Sequence, residues 1–154
     1  MMEKKKILKL NTDHSIKEVF KFERKTKLTR PLIGTRIPAG FPSPAQDYVE
    51  ACLDLNEHLI SHPNSTFFVR VDGMSMINAG IHPDDILIVD RSLEPVHNKI
   101  VIAIVEGELT VKRLIIEKGR YYLYPENPDF PFIEIREDSD FTVWGVVTYV
   151  IHKA

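Results

Sequence analysis

The chain has 154 residues, a formal net charge of −2 at pH 7 and 44% hydrophobic residues, which suits one modest domain with a real core and a tail. No apolar run approaches the roughly 20 residues that cross a bilayer, and the start lacks an apolar signal segment, so we expect a cytoplasmic protein without a membrane partner. A single cysteine, Cys52, excludes an internal disulfide.

Charge is distributed unevenly along the chain. Residues 1–30 hold ten Lys or Arg and four Asp or Glu, whereas the remainder holds ten and eighteen, giving +6 and −8. This asymmetry predicts a basic arm on an acidic body, and the arm could fold back on that body, contact nucleic acid or stay solvated. The acidic body argues against direct DNA binding over a large surface.

The first elements in chain order are irregular. The arm shows little apolar periodicity beyond a short amphipathic stretch from Ile16 to Phe22. Four prolines and two glycines between Pro31 and Pro44 predict an extended linker that a cleft could accept as a strand. Apolar residues at helical spacing then predict one helix from Ala45 to His62, with Ser43 as N-cap and Pro44 at its first position. Cys52 would lie on its buried face, which favours a core thiol over a nucleophile.

The rest of the chain reads as short strands separated by Gly, Pro, Asn and Asp clusters. Glu106-Gly107 is typical of a tight hairpin turn. Many short strands and one helix predict a mainly β fold with a closed or folded antiparallel sheet rather than βαβ units. The predicted strands are Thr66–Val71, Ile86–Asp90, Lys99–Val105, Leu109–Ile116, Tyr121–Tyr124, Phe132–Ile135 and Phe141–Ile151.

Ser75 is the candidate nucleophile, in the segment Val71-Asp72-Gly73-Met74-Ser75-Met76. A glycine two positions before a serine lets the backbone turn sharply after a strand and project the hydroxyl into a cleft. The backbone N–H groups of Met74 and Ser75 could then face a developing oxyanion. Gly-x-Ser also occurs in many ordinary turns, so this motif alone does not decide the question.

Lys112 is the candidate base, because the histidines show no recognisable triad spacing. Strand alternation places it on the same face as Leu114 and Ile116, where burial would lower the pKa of an amine and leave it neutral. Arg113 points to the other face and stays charged. The alternative is a lysine that extends its charged end to solvent from a strand edge.

Other candidate sites are weaker. His58 and His62 stand four apart on the predicted helix, but no third ligand accompanies them, so we expect neither a metal nor a cofactor. Asp84 and Asp85 are typical of a turn after Pro83. Tyrosines could stack on bases, although a half-buried strand or a subunit interface is the more usual setting; they are Tyr121, Tyr122 and Tyr124.

Three ordered motifs resemble the UmuD branch of the LexA-type SOS proteins, over about Pro38 to Val150. The first, Ala39-Gly40-Phe41-Pro42-Ser43-Pro44-Ala45, is similar to a cleavage-site segment. The second, Gly73-Met74-Ser75-Met76 with Asp85-Ile86-Leu87-Ile88-Val89-Asp90, is similar to the nucleophile region. The third, Gly107-Glu108-Leu109-Thr110-Val111-Lys112-Arg113-Leu114, is similar to the strand that carries the lysine base, and Gly145-Val146-Val147 matches the closing strand.

The resemblance implies an SOS autoprotease. In it, Ser75 attacks the Ala39–Gly40 bond, Lys112 takes the serine proton, and the N–H groups of Met74 and Ser75 form the oxyanion hole. It implies a LexA/UmuD-type β-fold with a flexible arm, residues 1–39, and a protease and dimerisation body, residues 40–154. The implied partners are a second copy in a homodimer, a RecA filament on single-stranded DNA, and a UmuC-like Y-family polymerase in translesion synthesis.

The chain also departs from that pattern. Asp84 stands where the family usually has glycine, and the arm is longer and more basic than that of UmuD. It is nevertheless too short and aperiodic for the helix-turn-helix domain of a LexA repressor. Two other functions stay open on the residues alone, a binding module that does not cleave and a LexA-like transcriptional repressor fragment.

Overall fold

The computed structural model describes residues 15–23, 27–33, 39–40 and 49–154. Their contacts divide them into two compact units. The first combines the described residues up to Phe22 with His62–Ala154, and the second comprises those between Glu23 and Ser61. No helix in these described ranges is long and apolar enough to cross a membrane.

The first unit is an antiparallel sheet of eight strands, so the expected mainly β fold is confirmed. Seven strands predicted from alternation and turn signals form where expected, to within a residue or two. The bounds are β1 Ile16–Lys21, β4 Thr66–Val71, β5 Ile86–Asp90, β6 Ile100–Val105, β7 Glu108–Glu117, β8 Arg120–Tyr124, β9 Ile133–Ile135 and β10 Phe141–Ile151, while the two strands between β1 and β4 belong to the second unit. The sheet order is β1-β4-β5-β10-β6-β7-β8-β9.

Tight turns hold the hairpins of this sheet. Glu106 and Gly107 both have positive φ, 49° and 80°, as a two-residue hairpin of the predicted kind requires. Lys118 and Gly119 repeat the same backbone pattern between β7 and β8, with φ of 49° and 75°. Short connections fix the register of neighbouring strands, so each residue of β7 has a defined face.

The core consists of two clusters of buried residues. Side chains along β7 alternate between the two faces of the strand, so successive residues contribute to different clusters. Leu109 and Val111 belong to the first cluster, and Leu114 belongs to the second. Lys112 is paired with Val101, a member of the second cluster, so the lysine lies on that face as predicted.

The central strand β10 passes its neighbours very closely at Gly145. The register against β6 shifts between Val143 and Gly145, which leaves Trp144 as an extra residue. A Cβ at Gly145 would lie 2.5 Å from Cγ1 of Val89, a separation that real Cβ atoms do not show. Arg91 closes the same region, because its Nε donates to the Trp144 carbonyl at 3.0 Å and its guanidinium lies over the indole. Glycine is therefore needed here for space.

Part of the basic arm is a strand of this sheet. β1 pairs with β4 and buries Ile16 and Val19 in the first core cluster. Hydrogen bonds fasten both ends of the strand, from Asp72 N–H to the Ser15 carbonyl at 2.7 Å and from Phe22 N–H to the Thr66 carbonyl at 3.1 Å. The amphipathic stretch of the arm is thus an edge strand, and the domain boundary at residue 39 stays a prediction.

The second unit contains the antiparallel pair β2, Thr29–Ile33, and β3, Val49–Asp54, followed by the short helix α1, Leu55–Leu59. The predicted helix from Ala45 to His62 is therefore wrong over Val49–Asp54, which is a strand, and is confirmed only over Leu55–Leu59. Asp54 explains the late start, because its carboxylate caps the helix by accepting from Asn56 N–H at 3.0 Å. The predicted N-cap, Ser43 with Pro44, lies outside the described residues.

Cys52 is exposed, so the prediction of a buried core thiol is also wrong. The error follows from the element: on a helix this residue shares a face with Val49 and Leu53, whereas in strand β3 neighbouring side chains alternate between faces.

Candidate active site

Residues 72–76, which include Ser75, follow β4 directly and form the nucleophile loop. Gly73 has φ of 80°, which supplies the sharp turn expected two residues before Ser75. Ser75 is buried, and the loop continues into a short 3₁₀ turn, Ile77–Ala79. The sequence-predicted serine therefore lies in a tight turn just beyond the end of a sheet strand.

Glu126 and Asn127 form hydrogen bonds with this loop and the 3₁₀ turn after it. The backbone N–H of Glu126 donates to the Ser75 carbonyl at 2.8 Å, and the Glu126 carbonyl accepts from Asn78 N–H at 2.9 Å. The side chain of Asn127 donates to the Met74 carbonyl at 3.0 Å. The carbonyl groups of Met74 and Ser75 are thus both hydrogen-bonded. The proposed role of their N–H groups in binding an oxyanion stays a prediction.

Lys112 of β7 meets Ser75 across the site, although 37 positions separate the two residues in the chain. Lys112 is 4% exposed. Nζ lies 3.4 Å from Oγ of Ser75, 2.7 Å from Oγ1 of Thr110 and 3.1 Å from the Val111 carbonyl. The buried surroundings contradict the alternative of a lysine that reaches into solvent.

This arrangement can support serine chemistry. Burial disfavours the charged form of an amine, and a neutral amine can accept the proton of a neighbouring hydroxyl. The 3.4 Å separation is slightly longer than an ideal hydrogen bond. Such contacts commonly tighten when substrate enters, so the distance is compatible with a nucleophile and its base.

Sequence reasoning missed the residues that support the pair. Thr110 is buried and its hydroxyl accepts from the Lys112 amine. The signal was available, because residues two apart on a strand share a face. Ser15 of the arm was also missed: its hydroxyl accepts from Val111 N–H at 3.2 Å, beside the lysine. No local sequence pattern predicts this contact or the hydrogen bonds between Glu126 and the loop that carries Ser75.

The predicted cleavage site belongs to the second unit. Ala39 and Gly40 are both exposed, and apart from chain neighbours no atom of the described residues lies within 4 Å of a Cβ built on Gly40. The residues immediately around this pair lie outside the described ranges, so the scissile bond stays a prediction.

Three of the weaker candidate residues have structural roles in the fold. Nδ1 of His62 lies 2.5 Å from Oδ2 of the buried Asp90, a hydrogen bond within the first unit. Asp84 has φ of 69°, the left-handed backbone that favours glycine, which accounts for the residue type expected there from the resemblance. Tyr124 stacks on Phe132 with ring centroids 4.9 Å apart.

Comparison with known proteins shows the family to which the chain belongs. Residues 31–148 match the family described as Peptidase S24-like. The chain is 48% identical to Protein ImpA of Escherichia coli over 80% of this chain and 84% of that protein. It is 49% identical to Protein SamA of Salmonella typhimurium over 81% and 86%. It is 39% identical to the LexA repressor of Leptothrix cholodnii over 82% of this chain but 54% of the repressor.

Proposed function

Because this chain is a UmuD-like member of the Peptidase S24-like family, we propose that it is a self-cleaving serine peptidase of the SOS response. The observation that carries the proposal is the buried contact between Ser75 and Lys112, which joins a turn after β4 to the middle of β7. The bond cut is Ala39–Gly40, an exposed pair of small residues within a Pro-rich segment.

The proposed reaction begins when the neutral amine of Lys112 takes the Ser75 proton. Oγ then attacks the Ala39 carbonyl, and the backbone N–H groups of Met74 and Ser75 stabilise the oxyanion. The protonated amine donates to the Gly40 nitrogen as the peptide bond breaks, which leaves Ala39 as an ester on Ser75. Water, activated by Lys112, hydrolyses that ester and restores the serine.

Thr110 and the Val111 carbonyl have a positioning role in this scheme. Both accept hydrogen bonds from Nζ, so they restrict the rotamers of Lys112 and keep its amine near Oγ of Ser75. A linker supplied by the protein itself makes the attack effectively unimolecular, so a modest catalyst suffices. A partner that favours the docked linker would raise the rate through a population shift.

We extend the proposal to the cellular role that the relationship to UmuD implies. The protein acts in the cytoplasm as a homodimer, and a RecA filament on single-stranded DNA stimulates its cleavage. The trimmed form, from Gly40 to Ala154, serves a UmuC-like error-prone polymerase in translesion synthesis. Support for this role comes from the 48% and 49% identity to ImpA and SamA.

Intact-mass measurement tests the cleavage. Purified protein is incubated at about pH 10, close to the ordinary lysine pKa, or with RecA, single-stranded DNA and a nucleotide, and a species that begins at Gly40 is expected. Ser75→Ala and Lys112→Ala should each lower its rate of formation by at least about 10²-fold, since a positioned base contributes about 10²–10⁴.

Exposed residues of the same types provide matched controls. Ser61→Ala and Lys99→Ala should cleave like the parent, because both side chains are exposed. Normal cleavage by either dyad variant contradicts the assignment of that residue. A folded parent that never cleaves would instead favour the binding module without peptidase activity.

A further inference from the structure

Two histidines and a buried aspartate meet at one end of the eight-stranded sheet, in and beside the β4–β5 connection that also contains Ser75. His82 and Asp85 lie in the turn that leads into β5, and His152 directly follows β10. The ladder between these strands, in which Ile151 pairs with Ile86, brings the two chain segments together. The position of the cluster is therefore set by the sheet and not by a flexible loop alone.

The three side chains present nitrogen and oxygen atoms to one point. Nδ1 of His152 lies 2.6 Å from Oδ1 of Asp85, and Nδ1 of His82 lies 3.8 Å from Oδ2. One such atom from each residue lies within 4.8 Å of the other two. The centroids of the two imidazole rings lie 4.8 Å apart, with the ring planes tilted by 40°.

His82 supplies a second, independent observation. Its Nδ1 is buried, and it has no hydrogen-bond partner among the described residues. Leaving a buried polar atom in this state destabilises the fold, so such atoms in folded proteins usually have a ligand or a partner. A neutral imidazole nitrogen with a free lone pair is a metal-binding group.

We propose that His82, Asp85 and His152 bind a divalent cation of the zinc class. Two imidazoles and one carboxylate suit Zn²⁺ and its first-row neighbours rather than Mg²⁺ or Ca²⁺, which take oxygen ligands. Bond lengths of about 2.0–2.1 Å in a tetrahedral site separate the ligand atoms by about 3.3 Å. The pair at 2.6 Å must therefore open slightly and the pair at 3.8 Å must close, which the half-exposed imidazoles allow.

The cation would fasten the C-terminal end of β10 to the turn before β5. Three protein ligands leave a fourth position for water, as in open zinc sites. Asp85 is already fixed, since its Oδ2 accepts from the backbone N–H of His82 at 2.8 Å. The aspartate is thus the anchored ligand, and His152, beyond the last strand, is the one that moves.

Thermal unfolding with and without Zn²⁺ tests the site in the full chain carrying Ser75→Ala, which prevents self-cleavage. At a free Zn²⁺ concentration about 100 times Kd, we expect Tm to rise by about 5–10 °C. His82→Asn and His152→Asn should each abolish the rise. His58→Asn, which changes an exposed histidine on α1, should retain it. Co²⁺ should give visible d–d bands in the parent that disappear in His152→Asn.

Several results would overturn the proposal. They are the absence of a Zn²⁺-dependent Tm shift in the parent, a shift that persists in both cluster variants, and Co²⁺ bands that His152→Asn does not change. If His82→Asn fails to fold, His152→Asn alone decides, because its side chain is half-exposed beyond the final strand.

Discussion

The charge state of Lys112 can be measured through stability, without any cleavage assay. We compare the Ser75→Ala protein with the same protein that also carries Lys112→Met, which keeps a long unbranched side chain but cannot titrate. Lys112 is 4% exposed, and burial penalises the charged form of its amine. In the unfolded chain the same lysine titrates near its ordinary value of about 10.4.

The sign and size follow from proton linkage. Below about pH 10.4 the unfolded chain binds one more proton than a folded state with a neutral amine, so stability rises with pH. The slope is at most about 1.4 kcal/mol per pH unit. Between about pH 7.5 and 9.5 the protein with Lys112 should therefore gain up to about 2.7 kcal/mol over the Lys112→Met variant, or about 5–11 °C in Tm.

Denaturant unfolding at the two pH values provides the assay, and groups that titrate in both proteins cancel in the comparison. Lys99→Met serves as the control, because Lys99 is exposed and should show no pH-dependent difference from its parent. Parallel pH profiles for the parent and the Lys112→Met variant would refute the reasoning, since they would mean that the buried amine keeps its proton in the resting fold.

Two further predictions concern the sheet, one its packing at Gly145 and the other the hydrogen bonds of Asp90. Gly145→Ala should destabilise by about 1–3 kcal/mol through its clash with Val89, and Val89→Ala should reduce that cost by more than about 0.5 kcal/mol; additive effects would contradict the clash. Burial alone raises the pKa of Asp90, but hydrogen bonds from Ser92 and His62 outweigh it and hold the pKa below its usual value. Asp90→Asn should therefore cost about 2 kcal/mol at neutral pH, and chemical denaturation should show the difference from the parent fading as pH falls below about 4; a constant difference would contradict this linkage.

The sequence was informative wherever the determining signal is local. Strands such as Ile86–Asp90 and Phe141–Ile151 form where predicted because turn residues bound them and their apolar content suits a sheet. The positions of Ser75 and Lys112 also follow local patterns, a glycine before the serine and alternation along the lysine strand. Their contact is non-local: the residues alone made Lys112 one candidate base among open alternatives, and the resemblance of three ordered motifs paired it with Ser75.

Failures occurred where a distant segment decides the local structure. Val49–Asp54 has apolar spacing that suits a helix, but pairing with Thr29–Ile33 supplies the backbone hydrogen bonds of a strand instead. The hydrogen bonds between Glu126 and the loop that carries Ser75 likewise join residues far apart in the chain, so hydrophobic periodicity does not predict them. The histidine–aspartate cluster depends on the β5–β10 ladder, so spacing along the chain could not reveal it.

The placement of β1 changes what self-cleavage would mean for the arm. Residues 16–21 complete a sheet that is otherwise built from residues after the proposed cut at Ala39–Gly40. While the chain is intact, residues 22–65 connect this segment covalently to β4, so its pairing with that strand is an intramolecular event. Cleavage would convert it into a separate peptide, so its rebinding would change from a first-order to a second-order process. Dilution would then favour its departure, and β4 would gain an unpaired edge to which another strand can add.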